Sequence, residues 1–593
     1  MIILAINEDH NATAALVKDG KVLYCASEER ITRSKNDIGY PFQTIAEALK
    51  ETNIKPNQID YIVYTGHSLN PVDLKIKRTT RFSIPDYIQE MDEYWKPVLI
   101  EKKPSSFWDK MIKKSRFNNP DTEYYNFDFL KTIPKEKWEK AFNKERVNVV
   151  VKQLGIDPKK VLFVNHHKCH AYYAYYASPI DRAKKTAVVT ADSWGDGENA
   201  SIWLAENGKL KKIHGTALCN LARIYRFMTL LLGMKPNEHE YKVMGLAPYA
   251  KDYIMQPAYD VFKKTLKVNG LDFKWNKKPS DMYFYFKEKL EGIRFDGIAA
   301  GLQKWLEDMV VEWITNILKH LKVDSLVYSG GLSQNVKANK SISKIPQLKN
   351  LFVPPSGGDE STAIGAAYIV SIDQGIIPQP LQHAYLGYSI TDDEIEKLLQ
   401  KYKVEKKYKV LRNATNKEIV DLLATNKVVA RCVGAMEFGA RALGNRSILC
   451  NPANFDNIRL INEKIKFRDF WMPFTPTILD HRAKDYLVNP KNLKVPYMTI
   501  AFDTTPLCEK HLKAAVHPYD FTARPQVLKK EVNLEYYELI QAFEKKAGIG
   551  AVLNTSLNLH GEPIVRNAED AWHTFIHSGL DALLLNKTLI IKD

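Results

Sequence analysis

An α/β fold with a duplicated core is what this sequence predicts, and three observations lead there. The first is residues 2–7 (IILAIN), an apolar run followed by the polar turn Glu8-Asp9-His10-Asn11 and then AALVKDGKVLYCAS. That last piece reads as two strands joined at Asp19-Gly20, a pair that accepts the left-handed positions of a tight hairpin. The second is the recurrence of this plan at 186–214. TAVVTA is a strand, DSWGDGEN an acidic, glycine-rich turn, and ASIWLAENGKLKKIHG a hairpin turning at Asn207-Gly208. The third is a pair of strand–Gly-Gly–helix units, SLVYSGGLSQNVKANKSI and LFVPPSGGDESTAIGAAYIV. The helices expected to open near Ser333 and Asp359 would aim free amides at one spot, an arrangement suited to phosphate.

Two strand–turn–hairpin units in one chain resemble the duplicated core of actin-like ATPases and sugar kinases. In that fold the two turns face each other across nucleotide phosphates. The bulk properties agree with a globular protein: 593 residues suit two to four domains, with 45% apolar and 26% charged residues. No apolar run reaches the roughly 18 residues of a membrane span. The start, MIILAINEDHNA, lacks a basic segment and meets acidic residues too early for a signal peptide, so a cytoplasmic protein is expected. Six scattered cysteines without a CxxC pair argue for reduced thiols rather than a zinc ribbon or a disulfide framework. The net charge of +16 is compatible with nucleic acid or acidic substrates. The lysines are spread along segments such as 401–409, however, which favours a solvated surface over a nucleic-acid face.

Between the first unit and residue 146, residues 67–145 read as an insertion rich in Trp, Tyr, Lys and Pro, either a helical decoration or a lid that shapes a substrate site. Asn165 to Pro179 (NHHKCHAYYAYYASP) follows, with three histidines in five positions. On a helix His166 and His170 share a face, as do His167 and His170. Two imidazoles one turn apart hold a divalent ion if carboxylates arrive from elsewhere; the same pattern also serves a core helix with polar ends. Asp192 or Asp196 in the acidic turn, and Asp359 after Gly357-Gly358, are candidate carboxylates, Asp359 being equally suited to cap a helix. Residues 221–232 and 296–321 read as amphipathic helices, and a domain boundary is placed within 374–400.

The second domain opens with a helix (416–425) and a strand, VVARCVG. Arg441, Arg446, Lys464, Lys466 and Arg468 then lie among glycines rather than beside acids at helical spacing, and Arg524 adds another in a turn. Guanidinium forks in such loops match phosphate and carboxylate oxygens. Asn554, Thr555, Ser556 and Asn558 in a late strand add hydrogen-bonding groups.

Taken together, the chain resembles the O-carbamoyltransferase family that includes nodulation-factor and tobramycin carbamoyltransferases. The resemblance is carried by Asn7 to Ala15, SEERITRSK, HHKCHAYYAYY, TADSWGDG, YKVMGLAPY, YSGGLSQN, PPSGGDES, MEFGARALGNRSI, TARPQ and LNTSLNLHGEPIV, in order along nearly the whole chain. Ala440 departs from the family, which usually places proline there. The resemblance implies an actin-like (ASKHA, ribonuclease H-like) metal- and nucleotide-binding domain over 1–378 and a YrdC-like domain over 379–593. It implies carbamoyl phosphate and ATP with Mg²⁺ as co-substrates, a carbamoyl adenylate intermediate, and transfer to a hydroxyl-bearing small molecule. It implies Fe²⁺ or another divalent ion on His166, His170, Asp192 and Asp359. Gly330, Gly331, Asn335 and Gly358 would hold the adenylate in the first domain. Arg441, Arg446, Lys464, Arg468, Arg524, Ser556 and Asn558 would serve carbamoyl phosphate and ATP in the second, with His10 or Glu28 near the acceptor as general base. A homodimer is compatible with this reading. The alternatives are carbamoyl-type modification of a nucleic acid or nucleotide, and an actin-like small-molecule kinase or ATPase.

Overall fold

The computed structural model describes residues 1–77, 82–114 and 124–592. They form two compact units, one of residues 1–353 and 357–380, the other of 354–356 and 381–593.

The first unit contains two five-stranded sheets of the same design. In one, β1 (Ile2–Asn7), β2 (Thr13–Lys18) and β3 (Lys21–Ser27) form an antiparallel meander, and β4 (Tyr61–Thr65) and β5 (Val161–Val164) extend it in parallel, in the order β3-β2-β1-β4-β5. In the other, β6 (Thr186–Gly195), β7 (Glu198–Glu206) and β8 (Lys209–Thr216) form the meander, and β9 (Ser325–Ser329) and β10 (Asn350–Phe352) extend it in parallel from β6. Strand order and strand direction both repeat, so the core is a true duplication. Both hairpin turns lie where the sequence places them, with Asp19, Gly20, Asn207 and Gly208 all at positive φ.

The acidic turn differs from its expected form. β6 runs on to Gly195, and the chain reverses in only two residues, Asp196 and Gly197, at φ +47° and +87°. Asp192 therefore stands in an extension of a strand rather than in a loop.

The helices that matter to the site are α1 (Phe42–Thr52), α2 (His166–Ala177), α3 (Leu221–Leu231), α4 (Phe295–Leu321), α5 (Val336–Ser343) and α6 (Thr362–Asp373). α2 and α6 pack so closely that a Cβ on Gly365 would come within 2.0 Å of the Cys169 carbonyl oxygen. The helix expected at Ser333 begins at Val336 instead. Gly331–Gln334 first makes a tighter 3₁₀ turn, and Asn335 caps α5 by accepting from Ala338 N at 3.0 Å.

At the end of β1 a buried ion pair fixes the first polar turn. Arg146 Nε lies 2.5 Å from Glu8 Oε2, with both side chains fully shielded from water. Arg146 also donates to the Thr65 and Gly66 carbonyls and lies 4.7 Å from the centroids of the stacked rings of Tyr64 and Phe163. Tyr125, from the insertion, donates to the other Glu8 oxygen. Described parts of 67–145 are mainly helical, with a core of Val72, Ile76, Phe82, Tyr87, Met91, Phe107 and Met111 that reaches Leu230 of α3 and Tyr283. Residues 78–81 and 115–123 of the insertion lie outside the described residues.

The second unit is built on an eight-stranded mixed sheet. Its strands are β11 (Lys409–Leu411), β12 (Val429–Cys432), β13 (Arg446–Cys450), β14 (Thr475–Leu479), β15 (Gln526–Leu528), β16 (Ala551–Ser556), β17 (Ala582–Leu585) and β18 (Thr588–Ile591). Their order is β11-β18-β17-β12-β13-β16-β14-β15. The loop before β13 is organised by Glu437, whose Oε1 accepts from Leu443 N and Asn445 N at 2.7 Å and from Arg446 N at 3.2 Å.

Candidate metal centre and anion site

The metal donors come from three elements. α2 starts at His166 because Asn165 is extended and its side chain accepts from Lys168 N at 3.0 Å. His166 and His170 are then one turn apart, with their Nε2 atoms 3.2 Å from each other. From the β6 extension, Asp192 Oδ2 lies 3.2 Å from His170 Nε2 and 3.8 Å from His166 Nε2. From the turn before α6, Asp359 Oδ1 lies 3.3 Å from His170 Nε2 and 3.5 Å from His166 Nε2. One donor atom from each of the four falls within 4.8 Å of all the others. Metal bonds of about 2.1 Å spread at tetrahedral angles would set donors about 3.4 Å apart. The four residues fit a divalent cation, and a mixed imidazole and carboxylate set suits iron, manganese or zinc alike.

Electrostatics point the same way. Burial pushes Asp192 up, but hydrogen bonds from His166 and His170 outweigh it and hold the carboxyl well below its ordinary range. Asp359 goes the other way, raised well above that range by burial and by the charge of Asp192. Burial lowers His166, and the Asp359 charge more than restores it. Two carboxylates driven apart in this way share a proton where a cation would satisfy both.

The surrounding backbone is shaped to these ligands. Gly331 N donates to Asp192 Oδ2 at 3.1 Å, and Ser193 N donates to Oδ1 at 2.5 Å. Gly330, at φ +89°, passes so near β6 that a Cβ would meet the Ala191 carbonyl oxygen at 2.2 Å. A Cβ on Gly195 would lie 2.2 Å from the His166 ring. Asp196 is no ligand: its carboxylate accepts from His166 N at 2.8 Å and from His67 N and Ser68 N at 2.9 and 3.0 Å. Asp359 caps nothing with its side chain.

Several sequence-derived roles change. Asn335 is occupied by the α5 cap and by a two-way pairing with Gln303 of α4, which leaves its amide committed to the scaffold rather than to an adenylate. Gly358 borders Glu360 and Gln334 too tightly for a side chain, a Cβ there lying 2.4 Å from Glu360 Oε2. Glu28 turns both oxygens to the start of α1, accepting from Gln43 N, Thr44 N and Thr44 Oγ1, so it anchors a helix instead of facing an acceptor. Burial raises its carboxyl to about 7. His167 lies in the core, where its Nδ1 is 2.8 Å from Thr190 Oγ1, and burial lowers it to about 3. His10 is half-buried on the turn that also carries Asp9, whose charge reaches Asp359.

In the second unit, Arg446 is corrected outright. It is wholly buried, and its N–H groups go to the carbonyl oxygens of Arg566, Val433, Asn445, Tyr388 and Gly434. A guanidinium has five such donors, and all are spent. Arg524 is the opposite case: its Nε is buried without a hydrogen-bond partner. Burial and the charges of Arg441 and Arg468 hold it well below the usual arginine range. Three guanidiniums brought together in this way suit an anion. Lys464 is exposed, whereas Lys466 is buried and its Nζ reaches Ser556 Oγ at 3.2 Å and Asn558 Oδ1 at 2.5 Å. Lys466, rather than Lys464, therefore stands beside Ser556 and Asn558. Nothing periodic distinguishes the two lysines in NEKIKF; only the π-helical turn at Asn462–Lys466 does.

Both domains of a carbamoyltransferase are recognisable by sequence: the profile described as Carbamoyltransferase N-terminus matches residues 2–368, and the one described as Carbamoyltransferase C-terminus matches 420–592. The chain belongs to the carbamoyltransferase family and is an enzyme of the transferase class. It is 33% identical to an uncharacterized protein of Methanocaldococcus jannaschii, with all of both chains covered. An uncharacterized protein of a Synechocystis strain is 30% identical over 98% of this chain and 95% of its own. Nodulation protein NolNO of Sinorhizobium fredii is 26% identical over 98% of this chain and 79% of its own.

Proposed function

We propose that the chain joins a carbamoyl group to a hydroxyl of a small-molecule acceptor, using carbamoyl phosphate and ATP with Mg²⁺. The observation that carries this reading is the division of equipment: a two-histidine, two-aspartate donor set in one unit and a cluster of half-buried arginines in the other. In the second unit, read as YrdC-like, Arg441, Arg468 and Arg524 bind carbamoyl phosphate and the ATP phosphates. Hydrolysis releases phosphate and leaves carbamate, whose oxygen attacks the α-phosphorus of ATP to give carbamoyl adenylate and pyrophosphate. Lys466, with Ser556 and Asn558, supplies positive charge beside the reacting oxygens.

In the first unit, read as actin-like, the acceptor hydroxyl attacks the carbamoyl carbon, the C–O bond to AMP breaks, and the hydroxyl proton leaves to a base. His10, on the turn fixed by Glu8 and Arg146, is the group assigned to take it. Fe²⁺ or another divalent ion, held by His166, His170, Asp192 and Asp359, would supply Lewis acidity to the carbamoyl oxygen.

The test separates the halves. His170→Ala is expected to keep carbamoyl phosphate-dependent pyrophosphate release and to lose carbamoyl mass added to any of a panel of hydroxyl acceptors. Arg524→Gln is expected to lose pyrophosphate release. Loss of pyrophosphate release in His170→Ala would sink the proposed division of labour.

A further inference from the structure

Beside the buried metal donors stands a large exposed side chain. Trp194 is 46% exposed, and it lies two residues beyond Asp192 on the same strand extension, about 7 Å along extended backbone. Its neighbour Gly195 is the residue against which the His166 ring rests. The guanidinium of Arg223 sits over the indole, 5.2 Å from a ring centroid. Arg226 is one helical turn further along α3, on the same side of the helix. α3 packs against β6 and against the Gly331–Gln334 turn, the two segments that set Asp192.

Among the described residues, no carboxylate comes within ion-pair distance of Arg223 or Arg226. Glu240 feels the Arg226 charge without forming an ion pair with it. Lys77, whose field reaches Arg226, is already neutralised by Asp73 and Glu90. Burial and the charge of Arg226 both depress Arg223. Two half-buried guanidiniums with no ion-pair partner among the described residues lose hydration and repel each other, a cost that an oxyanion bound between them returns. A guanidinium stacked on indole keeps its N–H edge open, ready for a bidentate carboxylate, sulfate or phosphate.

We propose that Trp194, Arg223 and Arg226 form the acceptor subsite beside the metal centre, and that the acceptor is a ring-bearing hydroxyl compound with an anionic group. Trp194 covers the ring, the arginines hold the anion, and the hydroxyl is thereby turned toward the metal donors. This inference rests on the carbamoyl-transfer reading for its meaning, and its test does not depend on turnover.

Matched sugars differing by one anionic group serve as probes: glucose with glucuronate, galactose with galactose 6-sulfate, and mannose with mannose 6-phosphate. Binding to the full chain is measured by titration calorimetry. In at least one pair the anionic sugar is expected to bind about tenfold tighter or better. Arg223→Gln/Arg226→Gln, checked for an unchanged melting temperature, is expected to erase that preference. Arg223→Lys, which retains charge but not the fork, is expected to keep part of it, and Trp194→Ala to weaken both members of the pair. The proposal is overturned if no pair favours its anionic member, or if the preference survives in the double variant. Failure of the wild-type chain to release pyrophosphate from ATP and carbamoyl phosphate would refute the carbamoyl-transfer reading instead.

Discussion

Arg446 is wholly buried and Arg524 half-buried with its Nε shielded, and what separates them is what their N–H groups meet. Arg446 spends five donors on five carbonyl oxygens and so holds the loop Phe438–Asn445, the start of β13 and the Arg566 backbone together. Replacing it leaves those acceptors without a donor, so Arg446→Met is expected to lower stability by about 3–5 kcal/mol in a denaturant titration. A loss below about 1 kcal/mol would remove this role. Glu28 offers a second prediction at this scale. Its carboxyl is raised to about 7 in the folded chain, so the folded state keeps a proton that the unfolded chain gives up near 4.5. Stability therefore falls as pH rises between those values, by up to about 3 kcal/mol. Glu28→Gln should flatten that dependence, and melting temperatures taken at about pH 5 and about pH 8 will show whether its advantage grows with pH.

At the scale of elements, the strand extension Asp192–Gly195 does more than its length suggests. It carries one donor of the candidate metal centre, presses a glycine against the ring of another, and exposes the indole of Trp194. Gly195→Ala puts a Cβ 2.2 Å from the His166 ring, so one of the two must shift. The expected outcome is at least about tenfold weaker binding of Fe²⁺ or Mn²⁺ by calorimetry, with the fold retained. Unchanged affinity would show that the ring and strand separate without cost. Much at this scale was readable in advance. Asp-Gly and Asn-Gly gave both hairpins because their backbone conformation is local. Histidines four apart on a helix shared a face for the same reason. What escaped was whatever depends on distant partners: Asp196 reaching back to 67 and 68, Asn335 pairing with Gln303, and Lys466 rather than Lys464 turning inward.

For the whole molecule, two sheets of identical order place their β1–β2 and β6–β7 turns as equivalent features, one bearing His10 and the other following the ligand Asp192. The arginines were legible as a group, because they recur among loop residues rather than along a regular helix face. What separates Arg446, with its donors spent on backbone carbonyls, from Arg441, Arg468 and Arg524 is burial and distant partners, which spacing does not encode. The separation of the two sites predicts that a chelator such as EDTA, with free Mg²⁺ then restored, abolishes carbamoyl transfer while pyrophosphate release persists. Equal loss of both activities would mean that one ion serves both units.

One carboxylate gives the first unit a mechanical property. Asp196 is tied at once to its own strand turn, to the first amide of the histidine helix and to two amides where the insertion begins. The insertion is thus moored beside His166, through hydrogen bonds from His67 N and Ser68 N to the carboxylate that also accepts from His166 N. A displacement of its first residues pulls on the first metal ligand directly, without passing through the hydrophobic interior. The anchorage makes the insertion a lever whose fulcrum is the helix of the candidate metal centre.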